Sequence, residues 1–195
     1  MTPETSLDLP DNPDCAFCAY LKGERPYTIL SCTPQTATFV TREQRGHPHL
    51  LVLPLRHVPS LLEMTDEEVA AVAVEVRNAA RLIEKAYAKT GIAVWQNNGV
   101  PAGQAIGHVH FHVAGTLPGG GTEFGEVKEI SVMETDEIAR RLVGGGRCDW
   151  SANRSCKRCV MLADQNPKSF FLRILISLSS NADTVVRNTY RSPSK

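Results

Sequence analysis

Gly103-Gln-Ala-Ile-Gly-His-Val-His-Phe-His-Val-Ala114 is the stretch on which the reading of this chain turns. Three of the chain's six histidines, His108, His110 and His112, alternate in it with Val109, Phe111 and Val113. Alternation of period two is the signature of a half-buried strand, with the apolar side chains turned to a core and the imidazoles to the opposite face. Next-but-one residues on a strand lie roughly 6.8 Å apart, so His108 and His112 stand about 14 Å apart and cannot serve one small centre together. The row must divide its work. One end can bind a metal while the middle and far end meet a substrate, and any two neighbours can flank a group the size of a phosphate. A hairpin strand with polar residues facing solvent accounts for one histidine; three beside a glycine-rich turn point to a site.

A chain of 195 residues suits one domain with an appendage and is long enough to bury a core. The formal charge is zero, yet residues 1–146 hold 12 Lys or Arg against 18 Asp or Glu, and residues 147–195 hold 9 against 3. The body is −6, the tail is +6, and all six histidines lie in the body. An acidic body is unlike a nucleic-acid clamp, whose affinity comes mostly from basic side chains at phosphates. Residues 1–14 are polar and acidic and read as a flexible N-terminus; without a basic start or an apolar run they do not read as a secretory signal. No stretch approaches the roughly 20 apolar residues of a membrane span. A cytoplasmic protein with neither a membrane nor a nucleic-acid partner is the expectation. In that reducing setting the close pair Cys15 and Cys18 suggests metal binding or redox chemistry rather than a structural disulfide.

The rest of the body places these motifs. A short helical turn is expected at Ala19 to Pro26, then a hairpin of Tyr27 to Cys32 and Ala37 to Thr41, a polar loop, and an internal strand His49-Leu-Leu-Val-Leu-Pro54. Thr65-Asp-Glu-Glu68 is a capping box, and apolar residues at three- and four-residue steps carry a core-packing helix to about Thr90. Ile92 to Gln96 is a strand, and Asn97 to Gly103 is the turn that feeds the histidine strand. A short helix over Thr135 to Val143 closes the body before Gly144 to Gly146. Residues 147–195 show no sustained period and read as a basic, weakly ordered extension. They hold Cys148, Cys156 and Cys159, which resemble an incomplete zinc site, and the apolar run Phe170 to Leu178.

Two constellations carry chemistry. Structural zinc takes four N or S ligands in a tetrahedron, and Cys15-x-x-Cys18 supplies two from one tight turn. His57 and His108 can complete the set, with Cys32, His47 or a tail cysteine as competitors; a redox pair or two core thiols are the other readings. The second constellation is His110, His112 and His49 with the turn Asn97 to Gln104. A neutral imidazole leaves one nitrogen free near pH 7, which suits it to attack on phosphorus. Backbone N–H groups of Gly99, Gly103 and Gln104 would stabilise phosphate oxygens. A metal on the strand itself lacks nearby carboxylates, because residues 94–122 contain no Asp or Glu.

The His-φ-His-φ-His-φ-φ pattern of His108 to Ala114 resembles the signature of the histidine-triad (HIT) superfamily of nucleotide hydrolases and transferases. Cys15-x-x-Cys18, His49 to Pro54 with His57, and Asn97 to Gln104 stand in family order. The resemblance is good from Asp14 to Ala114, loose to Val143 and absent from the tail. It implies an α+β fold for residues 15–146, with an antiparallel sheet of about five strands, one long helix and a short C-terminal helix, usually as a homodimer. It also implies that His110 is the nucleophile, forming a nucleotidyl-histidine. His112 and His49 would contact the phosphate, Asn97 would orient the site, and Asn98, Gly99, Gly103 and Gln104 would line it. Structural zinc on Cys15, Cys18, His57 and His108, with no organic cofactor, follows from the same resemblance. Ala105 stands where many relatives carry Ser or Thr, a departure that bears on leaving-group assistance. The implied activity is hydrolysis of an adenylyl P–N or P–O–P bond, with a nucleotidyltransferase or phosphorylase, or a non-catalytic nucleotide-binding or scaffold protein, as the alternatives.

Overall fold

The strand His49–Pro54 is buried along its whole length, and the architecture is assembled around it. The structure, a computed structural model, describes residues 7–144; the tail with its three cysteines and the run Phe170 to Leu178 lies outside them. The described elements are α1 (Ala16–Leu21), β1 (Ile29–Cys32), β2 (Thr36–Val40), β3 (His49–Pro54), α2 (Asp66–Tyr87), β4 (Ile92–Trp95), β5 (Phe111–Gly115) and α3 (Val132–Leu142). All pairings are antiparallel, in the order β1-β2-β3-β5-β4. The class is α+β with a five-stranded sheet.

The alternation of β3 explains how the sheet is covered. Leu50 and Val52 join Val113 of β5 under Val72, Ala79 and Ile83 of α2 and Ile138 and Leu142 of α3. Leu51 and Leu53 turn the other way and pack with Phe17 of α1, Phe39 and Ala37. His49 shares the parity of Leu51, and His112 sits opposite Leu51 in register, so the imidazoles lie on the α1 face. On that face His49, His108 and His110 are buried: Phe17 of α1 packs edge-on against the rings of His108 and His110, and His49 lies against Trp95 and His112.

Several boundaries differ from the sequence reading. The first helix begins at Ala16 rather than Ala19, because the Cys15 thiol accepts the Cys18 N–H and caps it. The long helix stops at Tyr87, short of Thr90, because Ala88 turns into the left-handed region at φ 48°. Helix α3 starts at Val132, three residues early, on a capping box of Ser131 and Glu134. Ladder pairing of the histidine strand begins only at Phe111, and the Val109 N–H donates to the Val58 carbonyl at 2.7 Å instead. The segment read as a flexible N-terminus is, over its described part, hydrogen-bonded to the 99–107 loop.

The expected capping box of α2 is present: Thr65 Oγ1 accepts the Glu68 N–H, and the Glu68 carboxylate accepts the Thr65 N–H. Arg56 also donates to both Glu68 oxygens, at 2.7 Å each. Thr65→Ala removes one cap bond and leaves the Arg56 pair, so a loss of about 1 kcal/mol is expected. Thermal melting should show it as a Tm lower by roughly 4 °C; an unchanged Tm would mean that the cap contributes nothing here.

Candidate functional site

Four donors converge where α1, the loop after β3 and the residues before β5 meet. The ligand atoms of Cys15, Cys18, His57 and His108 all lie within 4.8 Å of one another. Cys15 Sγ is 3.5 Å and Cys18 Sγ 3.7 Å from His108 Nδ1, and Cys18 Sγ is 3.5 Å from His57 Nδ1. A tetrahedral ion with bonds of about 2.3 Å to sulfur and 2.0 Å to nitrogen sets neighbouring donors roughly 3.3–3.8 Å apart, so these are edges of such a tetrahedron. The His108 tautomer also fits. Its Nε2–H donates to the Pro54 carbonyl at 2.9 Å, which leaves the Nδ1 lone pair facing the sulfurs. Burial, and then the neighbouring Cys15, push the Cys18 thiol up to about 11, so Cys18 resists ionisation until a cation compensates it. The competitors are elsewhere: His47 packs edge-on to Tyr87, Cys32 lies in the core beside Phe39, and no disulfide joins Cys15 to Cys18.

The other histidines form a chain of committed protons. His110 Nδ1 lies 2.7 Å from the His108 carbonyl, which can only accept, so Nδ1 carries the proton and Nε2 keeps its lone pair. His49 Nδ1 is 2.8 Å from the Glu43 carbonyl and 3.3 Å from the Arg45 N–H. It cannot donate to the first and accept from the second at once, and the shorter contact assigns it as the donor. His49 Nε2, left bare, accepts from His112 Nδ1 at 3.0 Å, so His112 Nε2 is also a lone pair. The rings of His110 and His112 stand 4.9 Å apart, Trp95 stacks on His112 at 4.6 Å, and Phe17 meets His110 edge-on at 5.0 Å. Burial holds His49 down at about 4 and His110 below its ordinary value. His112 is held at about 2, by burial first and then by His110, His49 and Arg45. All three imidazoles are neutral at pH 7.

A cleft of about 510 Å³ opens over these rings; Asn97, Gly103, Ala105, His110 and His112 line it, with aromatic surface from Phe17, Tyr20 and Tyr27. Four of the expected contacts are placed otherwise. His49 is 1% exposed and off the cleft wall, and its Nε2 is bonded to His112 rather than open to the cleft. Asn98 accepts the Leu61 N–H and exchanges with Gln96. Gln104 is buried, accepting the Gly99 N–H at 2.7 Å and donating to the Pro59 and Ile106 carbonyls. The Gly103 and Gln104 N–H groups are used inside the loop, on Val100 and Gly99 carbonyls. Asn98, Gly99 and Gln104 thus brace the loop and do not line the cleft. Among the described residues no acceptor takes the Ala105 N–H, which the sequence reading passed over because only its side chain was weighed. Trp95 was missed as well, although counting the β4–β5 hairpin puts it directly opposite His112.

Fold and site together define an α+β protein that presents two imidazole lone pairs to a cleft, with a four-donor centre beside them. The comparisons agree. Residues 22–118 match the HIT domain, and the chain belongs to the HIT family. It is 31% identical over 132 residues, 67% of this chain and 99% of the relative, to an uncharacterised HIT-like protein of Methanocaldococcus jannaschii. It is 32% identical over 111 residues, 57% of this chain and 78% of the relative, to an adenosine 5′-monophosphoramidase of Schizosaccharomyces pombe. The crystal structure of a Zn-bound histidine triad family protein from Mycobacterium smegmatis superposes with a TM-score of 0.56 at 25% identity, covering 67% of this chain and 94% of that one.

Proposed function

We propose that this chain is a nucleotide hydrolase that cleaves an adenylyl P–N or P–O–P bond through a covalent nucleotidyl-His110. The observation that carries this reading is the His110 tautomer: Nδ1–H is spent on the His108 carbonyl, and the Nε2 lone pair belongs to the side of the ring left for the cleft. Nε2 attacks the α-phosphorus, and the bond to the leaving group breaks with its electron pair. Water then attacks the same phosphorus, the P–N bond returns its pair to Nε2, and His112 Nε2, made more basic by the anionic phosphate beside it, takes the water's proton while His49 holds its ring in place. The Ala105 N–H and Asn97, on two residues that line the cleft, would donate to the phosphate oxygens. Adenine is suggested by the name of the yeast relative. Zinc on Cys15, Cys18, His57 and His108 would have every position filled by protein and would supply structure rather than a reactive water.

The test is the intact mass of the zinc-loaded protein after brief exposure to an adenosine phosphoramidate and, separately, to a diadenosine polyphosphate. An AMP-sized adduct and release of AMP are expected. Ala105 brings a methyl where a hydroxyl would assist an amine, so the polyphosphate should turn over faster. Tight AMP binding with neither adduct nor product from either compound would overturn the hydrolase in favour of a nucleotide-binding protein.

A further inference from the structure

The segment Asp8 to Asn12 contributes no side chain to the cleft, yet it touches both ends of the loop that forms one of the cleft's edges. At the near end the Val100 N–H donates to the Asp8 carbonyl at 2.6 Å. Gly99 there has φ +88°, and a Cβ on it would stand 3.1 Å from that same carbonyl. At the far end the Gly107 N–H donates to Asn12 Oδ1 at 3.2 Å, and a Cβ on Gly107 would come within 2.9 Å of the Pro10 carbonyl. Unlike Gly99, Gly107 has no left-handed φ to require glycine. The close passage of the segment is what leaves no room for a side chain there. Between these two points lie Gly103 and Ala105 on the cleft wall, and directly after them come His108 and His110. The segment itself is stiffened by Pro10 and Pro13 and closed by a turn in which the Asn12 N–H meets the Pro10 carbonyl at 3.2 Å. Three residues after Asn12, Cys15 is held against His108.

We propose that Asp8 to Asn12 is a positioning strap for the 99–107 loop, and that Asn12 sets the end of the loop from which His108 and His110 depart. The strap touches no substrate. It fixes the loop from outside while Gln104 fixes it from within, so that the Ala105 N–H and the His110 ring keep a constant separation. Its effect on turnover rests on the reading of the cleft as a nucleotide site; its effect on the loop does not.

The test compares three full-length, zinc-loaded variants with the parent. Asn12→Leu keeps the size and removes the acceptor, Asn12→Asp keeps an acceptor oxygen, and Gly107→Ala pushes the strap away from the other side. Amide hydrogen exchange is followed across residues 99–107, with α2 as internal reference, beside KM and kcat for the adenosine phosphoramidate. Asn12→Leu and Gly107→Ala should speed exchange in the loop and lower kcat/KM about 3- to 10-fold, the scale of one hydrogen bond, with a fall in kcat itself and little change in zinc content or α2 exchange. Asn12→Asp should restore both. Unchanged exchange in the loop for Asn12→Leu and Gly107→Ala overturns the strap. If the parent turns over no nucleotide, the functional reading fails and the exchange data still decide the strap.

Discussion

His110→Ala forms no nucleotidyl adduct and releases AMP slower by on the order of 10⁴-fold or more, because no other group in the cleft stands ready as the nucleophile. His112 Nε2 carries a lone pair too, but its Nδ1–H is bonded to His49, whose own proton goes to Glu43, an arrangement that suits a fixed proton acceptor. His110→Asn serves as the second variant, since alanine empties a site that Phe17 packs against at 5.0 Å. Both should still bind AMP. Acid dependence gives an independent check. The attacking nitrogen must be unprotonated, and burial places the His110 pKa below its ordinary 6.5. Adduct formation in a single turnover should therefore stay level from pH 8 down past 6.5 and fall only in stronger acid. An adduct on the His110→Asn protein, or a rate already halved at pH 6.5, would sink the assignment.

How far this site was legible depended on what kind of signal each residue leaves in the chain. Residue types and spacing singled out Cys15 and Cys18 but left Cys32, His47 or a tail cysteine open beside His57 and His108, and only the family resemblance implied the full set; the structure brings the donor atoms of Cys15, Cys18, His57 and His108 together. Period two also placed Val109 and Val113 in the core and put the imidazoles on the opposite face. What alternation cannot report is how that second face is covered. Phe17, lying between the two cysteines, packs over His108 and His110, and Trp95 lies against His49 and His112. The turn Asn97 to Gln104 was misread for a related reason. Glycine and amide residues near a phosphate site can either contact it or hold the loop, and only the hydrogen-bond partners of Asn98 and Gln104 show that these two hold it. The strap left no pattern, because one of its two bonds to the loop comes from the Asp8 carbonyl, a group every residue possesses, and the other from a single asparagine, Asn12.

Removing the metal should have the second large effect, and on stability first. The isolated protein should carry one zinc per chain, and Cys18→Ala or exhaustive chelation should lower Tm by about 15 °C or more. That corresponds to roughly 5 kcal/mol for a domain of this size. The magnitude follows from what the four donors join. Cys15 and Cys18 bracket the start of α1, whose Phe17 covers the face of β3; His57 comes from the loop after β3; and His108 leads into β5. Without a cation the Cys18 thiol, raised to about 11, stays protonated, and His108, lowered to about 4, stays neutral. Two half-buried thiols, the buried His108 and the exposed His57 then face one another with little attraction. A dication ionises both thiols and leaves the centre neutral, so binding releases protons and affinity must weaken as pH falls. Activity should be lost along with stability even though a closed centre offers no position to substrate. The His108 carbonyl holds the His110 Nδ1 proton, and once His108 is released nothing fixes which nitrogen of His110 carries the lone pair. Zinc restored to the chelated wild type should return Tm and adduct formation together. A protein that melts at the same temperature with and without zinc would show that the cluster is not a structural centre, and recovery of Tm without recovery of the adduct would break the link between His108 and His110.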